Sequence, residues 1–167
     1  MKTNKTIKLV QSAVVFALVF TATWFVVPSP VLGNINLGDS MILVGSLVLG
    51  GPWAVIACSL AAALCDFAAG YAVYAPATLV IKAGMVFVML LFRKVSQKPL
   101  ITILSAICAE VFMATGYLIY EAWILGYSFA AVLNVPFNLI QGALNIVLAL
   151  LIGTLLKKIG VLILEDS

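Results

Sequence analysis

From Asn134 to Leu156 the chain carries no charged residue, yet four carboxamides interrupt the apolar run: Asn134, Asn138, Gln141 and Asn145. As a helix this segment is about 34 Å long at 1.5 Å per residue, enough to cross a hydrocarbon core of ~30 Å. At 100° per residue the four amides fall within about 60° of one another. They cannot face lipid, where an unpaired polar group costs several kcal/mol. They face either other helices, as interhelical hydrogen-bonding residues often do, or a wet cavity. Carboxamides both donate and accept, which suits a neutral, hydrogen-bonding solute better than an ion.

The rest of the chain is of the same kind. Its 167 residues are 65% hydrophobic and 9% charged, with a mean hydropathy of +1.24. Soluble domains run near 45–50% apolar and about 25% charged. The expected fold class is an all-α integral membrane protein, residues 1–167 forming a single transmembrane domain. The run Leu9–Val27 follows a lysine-rich start, as in a signal peptide, but it is too long for that and no A-x-A site follows, so it is read as a retained first span. Cys58, Cys65 and Cys108 lie in apolar segments and read as small buried hydrophobes.

Residues 39–70 form either one long kinked span or two spans joined by a turn at Gly51-Pro52. Two spans give six in all, near 9–27, 36–50, 53–70, 76–92, 99–121 and 134–156. Lys2, Lys5, Lys8, Arg93, Lys94, Lys98, Lys157 and Lys158 then share one side, whereas the kinked alternative splits them. The positive-inside rule therefore favours six transmembrane helices with both the N- and C-termini cytoplasmic. The net charge of +3 is then topology, and no nucleic-acid partner is expected. Pro28–Gly38 is the longest outer loop, Asp39-Ser40 an N-cap-type start for the second helix, and Pro76 a helix-opening proline.

The ninth basic residue, Lys82, falls inside the fourth span, and an intramembrane lysine is a functional-site hypothesis by default. It pairs with Asp66, contacts a solute, or does both. In the fifth span Glu110, Tyr117 and Glu121 share a face, and Glu110 lies near mid-membrane. Tyr71, Tyr74 and Tyr120 crowd the outer loops, as interfacial anchors or as binding residues. Polar groups concentrate in the outer half, so a site open outward and closed below is the simplest architecture. No P-loop, H-E-x-x-H or nucleophile elbow occurs and there is no histidine, so nothing proposes an enzyme. No metal ligands cluster and no cofactor is expected. A stand-alone ion-coupled transporter using Glu110 and Asp66, and an intramembrane enzyme acting on a lipid, are the alternatives.

Four blocks bear on the choice: Gly33–Asp39 (GNINLGD), Leu49–Trp53 (LGGPW), Gly70–Thr78 (GYAVYAPAT) and Ile81–Gly84 (IKAG). In this order and spacing they resemble the substrate-binding S components of energy-coupling-factor (ECF) vitamin transporters, and the similarity extends over essentially the whole chain. The resemblance implies a six-helix membrane protein that captures a water-soluble vitamin on the outer side. Its partners would be a transmembrane coupling protein and two ATPases, with ATP used by those subunits alone. An A-x-x-x-A motif that docks on the coupling protein in that family matches Ala13 and Ala17. The family's site is built mainly from helices four to six under a lid from the first outer loop, which agrees with Lys82, the Glu110/Tyr117 face, the Asn134–Asn145 stripe and the loop that holds Asn34. The residues themselves are read from this chain: the amides of span six hold the solute, Tyr71, Tyr74 or Tyr117 stacks on its ring, and Lys82 or Glu110 complements an ionisable or hydroxyl group. The closest subfamily resemblance is to members for pyridoxine or hydroxymethylpyrimidine.

Overall fold

The computed structural model describes residues 5–32 and 34–161; Lys2 and Gly33, invoked above, lie outside the described residues. Among the described residues six α-helices form: α1 (Lys5–Trp24), α2 (Gly38–Leu49), α3 (Gly51–Ala68), α4 (Ala75–Val95), α5 (Pro99–Ile119) and α6 (Ser128–Lys158). Five are long and apolar enough to cross a membrane. The exception, α2, has 12 residues and spans about 18 Å. Gly50 and Gly51 both take positive φ, 63° and 58°, a conformation costly for any residue with a Cβ. The chain therefore turns between α2 and α3, and one kinked helix over residues 39–70 is excluded.

Short as it is, α2 is the centre of the bundle. It packs against α1, α3, α4 and α6 and buries Asp39, Ser40, Ile42, Leu43, Val44, Gly45, Ser46 and Leu49. Its last carbonyls, which no helical N–H can reach, are met by cations. Lys8 Nζ donates to Leu49 O at 2.9 Å and the Arg93 guanidinium donates to Leu47 O. This arrangement favours the helix C-terminus electrostatically. It also places Lys8 and Arg93 at the same end of the bundle, as the charge pattern requires.

At the opposite end, two three-residue strands, β1 (Val26–Pro28) and β2 (Asn34–Asn36), pair antiparallel with Val27 across from Ile35. The expected outer loop is thus a small hairpin. Asn36 stiffens it by donating from Nδ2 to Asn34 Oδ1 and accepting the Gly38 N–H at its Oδ1.

Four sequence expectations are corrected. The second helix begins at Gly38 with Leu37 in the capping position and no side-chain cap, because the Asp39 side chain is drawn into the core. The sixth helix begins at Ser128 and runs through Pro136, since a membrane bundle tolerates the one backbone bond that proline removes. The fifth continues past Ile119 as a π-helical turn, Tyr120–Ile124. The three cysteines are free; Cys58 and Cys65 are buried, but Cys108 is exposed on the outside of the bundle.

Candidate functional site

Polar side chains converge under the hairpin. Asp39 of α2 is fully buried, and its Oδ1 lies 2.6 Å from Lys82 Nζ of α4. Lys82, 4% exposed, therefore does not take Asp66 as its ion-pair partner: α2 packs against α4 and brings Asp39 to the ammonium instead. The same ammonium stands over the Tyr117 ring at 5.3 Å, within cation–π range. Asp66 of α3 accepts from Thr78 Oγ1 at 2.5 Å, and Thr78 Oγ1 is 2.9 Å from the Tyr117 hydroxyl. A threonine has one proton to give. With that proton on Asp66, Tyr117 is the donor in the second bond.

The stripe on α6 is drawn into this network. Gln141 donates to Asp39 Oδ2 at 2.7 Å and accepts from the Asn36 backbone N–H at 3.1 Å. Asn145 accepts the Ser40 N–H at 2.8 Å and donates to the Asn36 carbonyl at 2.9 Å. Asn134 donates to both Glu121 oxygens, at 2.9 and 3.1 Å, while its carbonyl accepts from Ser29 Oγ at 3.0 Å. These residues reach across the bundle to hold the hairpin, α2 and the π-helical turn. Tyr74, in the loop before α4, donates to Glu121 Oε1 at 3.3 Å. Burial first, and then the neighbouring Glu121, hold its hydroxyl pKa well above the usual tyrosine range, so it stays protonated and a donor.

Thr23, Leu32, Asn34, Asn36, Ala62, Asp66, Tyr71, Tyr74, Thr78, Lys82, Tyr117, Glu121, Asn134, Asn138 and Gln141 line one cavity of about 30 Å³ between the hairpin and the helices. Of the candidates from the sequence, Asn34, Tyr71, Tyr74, Lys82, Tyr117, Asn134, Asn138 and Gln141 are brought to its wall. Asn145 and Glu110 are not. Asn145 lies beneath the hairpin as a strut, and Glu110, 4% exposed, packs against Gly142 with neither carboxylate oxygen partnered among the described residues. Ala13 and Ala17 are exposed on α1, away from its buried stripe of Ser12, Val15, Val19 and Thr23.

Asp39, Glu121, Thr78 and Thr23 belong to the site but were not among the candidates. Asp39 was legible only as a helix start. Glu121 carried a signal, a carboxylate inside an aromatic cluster, and the π-helical turn is what delivers it: Leu125 N–H bonds back to Tyr120 O at 3.0 Å. Such insertions re-aim a helix face and concentrate at functional sites.

Residues 3–158 match the family model described as "ECF-type riboflavin transporter, S component". The chain belongs to that family. It is an integral membrane S component, the substrate-capture subunit of an ECF importer. The family is one of transporter subunits, which sets aside both the enzyme and the stand-alone ion-coupled carrier. Among solved structures, a chain titled "Structure and mechanism of the S component of a bacterial ECF transporter" superposes with a TM-score of 0.76. At 20% identity, over 93% of this S component and 98% of that chain, the match speaks to the fold. No curated protein sequence matches.

Proposed function

We propose that this S component captures a single-ring vitamin of the pyridoxine or hydroxymethylpyrimidine type from the outer side. It would sit in the membrane as six spans with both termini cytoplasmic. The hairpin end of the bundle faces outward and the end bearing Lys8 and Arg93 faces the cytoplasm. The ring lies among Tyr71, Tyr74 and Tyr117, and the amides of α6 read its polar groups. Delivery follows docking of the α1 face at Ala13 and Ala17 on the coupling protein, with hydrolysis left to the two ATPases.

The observation that carries the reading is the small polar cavity beneath a hairpin hydrogen-bonded to α6. Ligand pockets commonly enclose about 300–1,000 Å³, whereas this one is near 30 Å³. A ligand must displace the hairpin, and a small ring demands the least displacement. The aromatic and amide lining suits a heteroaromatic ring bearing hydroxyls. The family's description favours a second reading, riboflavin, whose tricyclic ring and polyol tail require a larger opening.

Mass spectrometry of small molecules retained by the detergent-purified protein, followed by tryptophan-fluorescence titration, tests the proposal. A stoichiometric single-ring vitamin, with affinity lost in Asn138→Leu, supports the first reading. Retained riboflavin supports the second. An empty protein that ignores both vitamins overturns the capture reading for this pair of substrates.

A further inference from the structure

Most of the cavity's polar lining is already committed to other groups of the chain. Lys82 and Gln141 hold Asp39, Asn134 and Tyr74 hold Glu121, and Thr78 joins Asp66 to Tyr117. Two lining residues carry a buried polar atom that is not so committed. The Thr23 hydroxyl of α1 and Asn138 Nδ2 of α6 are both buried, and neither has a hydrogen-bond partner among the described residues.

Thr23 is unusual in this chain. Ser12, Ser59, Thr115 and Thr154 all donate to the carbonyl four residues back, the default for a hydroxyl on a helix in an apolar setting. Thr23 does not, although it is only 4% exposed. Its hydroxyl is pressed instead against Gly38 at the start of α2, where a Cβ would come within 2.0 Å of Oγ1. Buried polar groups are almost always satisfied, and both residues line the cavity that would hold the missing partner.

We infer that Thr23 is a substrate contact, its hydroxyl and the Asn138 amide together binding one polar edge of the captured vitamin. This rests on the capture reading above and adds to it a residue from α1. Asn138 Nδ2 can only donate, so it takes an acceptor, either a ring nitrogen or a carbonyl oxygen. The Thr23 hydroxyl both donates and accepts, so it complements a hydroxyl or amino group and equally a second acceptor. The ligand class is a heteroaromatic ring with an acceptor beside a hydroxyl, an amine or a second acceptor, displacing water from the two groups. Occupancy is thereby felt on α1, the helix that also carries Ala13 and Ala17.

The test uses the full chain in detergent, as wild type, Thr23→Val and Thr23→Ser, titrated calorimetrically with pyridoxine and separately with riboflavin. For whichever vitamin the wild type binds, T23V weakens affinity about tenfold or more, because an isosteric methyl strands the ligand's polar group. T23S, which keeps the hydroxyl, stays within about threefold. Without ligand, T23V melts at or above the wild-type temperature, since no bond within the protein is lost. Wild-type affinity in T23V overturns the inference and leaves the hydroxyl serving water alone. A lower ligand-free melting temperature in T23V, absent in T23S, overturns it as well by giving the hydroxyl a structural partner. If the wild type binds neither vitamin, the substrate reading fails separately and the ligand-free melts still decide whether Thr23 is unpartnered.

Discussion

The buried pair Asp39–Lys82 offers the sharpest test of how the site is held. Asp39 is fully buried and Lys82 is 4% exposed, with 2.6 Å between Nζ and Oδ1. Asp39→Asn removes the carboxylate that faces the ammonium and leaves it a neutral amide oxygen and the Tyr117 ring at 5.3 Å, a cation–π contact worth roughly 0.5–2 kcal/mol. Leaving one member of a buried pair uncompensated costs about 3–5 kcal/mol. At about 2–4 °C per kcal/mol for a chain of this size, D39N should lower the melting temperature of the ligand-free protein by roughly 6–20 °C. Lys82→Met should do the same, because Asp39 then keeps only the Gln141 amide. The double variant removes both charges and should lose far less than the sum of the two, with a coupling energy of at least about 2 kcal/mol. Asp66→Asn, which trades a charge-assisted bond from Thr78 for a neutral one, should cost about 1 kcal/mol and add independently to K82M. Thermal unfolding of the six detergent-purified proteins reads all of this. Additive losses for D39N and K82M, or strong coupling of K82M to D66N, would refute the pairing.

Three further outcomes follow from the geometry. Asn145→Leu strands the Ser40 N–H and the Asn36 carbonyl. It should destabilise the protein by about 1–3 kcal/mol and raise hydrogen exchange at Asn36 and Ser40 above that of α3. Glu110→Gln should leave the melting temperature unchanged or raised, because neither carboxylate oxygen has a partner among the described residues to lose; a clear drop would reveal an interaction there. Ala13→Trp, on the exposed face of α1, should leave vitamin affinity at the wild-type value while abolishing uptake in cells that carry the whole importer. Normal uptake would free that face of any docking role.

Much of the bundle was legible because membrane helices obey few rules. Long apolar runs, glycine–proline breaks and the placement of Lys8 and Arg93 gave six helices and put two basic clusters at one end. What stayed hidden was set by tertiary packing. Asp39 and Asp66 both stand near an outer helix end, and nothing local distinguishes them as partners for Lys82; the approach of α2 to α4 does. Glu121 was legible as a carboxylate among aromatics, but its partners were not, because an i, i+7, i+11 face assumes a regular helix and the π-helical turn departs from one. The amide stripe was readable as polar and inward, but whether it met helices or a cavity was open. It does both: Asn145 is a strut, Asn138 lines the cavity with an unspent amide, and Asn134 and Gln141 line the cavity while holding other groups.

That double use bears on how binding must proceed. The hairpin is latched to α6 through Ser29 on Asn134, Asn36 N–H on Gln141, and Asn145 on the Asn36 carbonyl. At roughly 0.5–1.5 kcal/mol net per bond, the latch is worth about 2–4 kcal/mol. Opening it therefore populates the accessible state at roughly 0.1–3% before a ligand arrives, and observed affinity is reduced by that fraction. Two of the latch amides line the cavity, so a ligand that engages Asn134 and Gln141 exchanges one set of hydrogen bonds for another instead of adding to them. Net affinity must then come from groups the latch never used: the aromatic rings, the Asn138 amide and the Thr23 hydroxyl. Changes at Ser29 should accordingly move the association rate, while changes at Asn138 and Thr23 should move the dissociation rate.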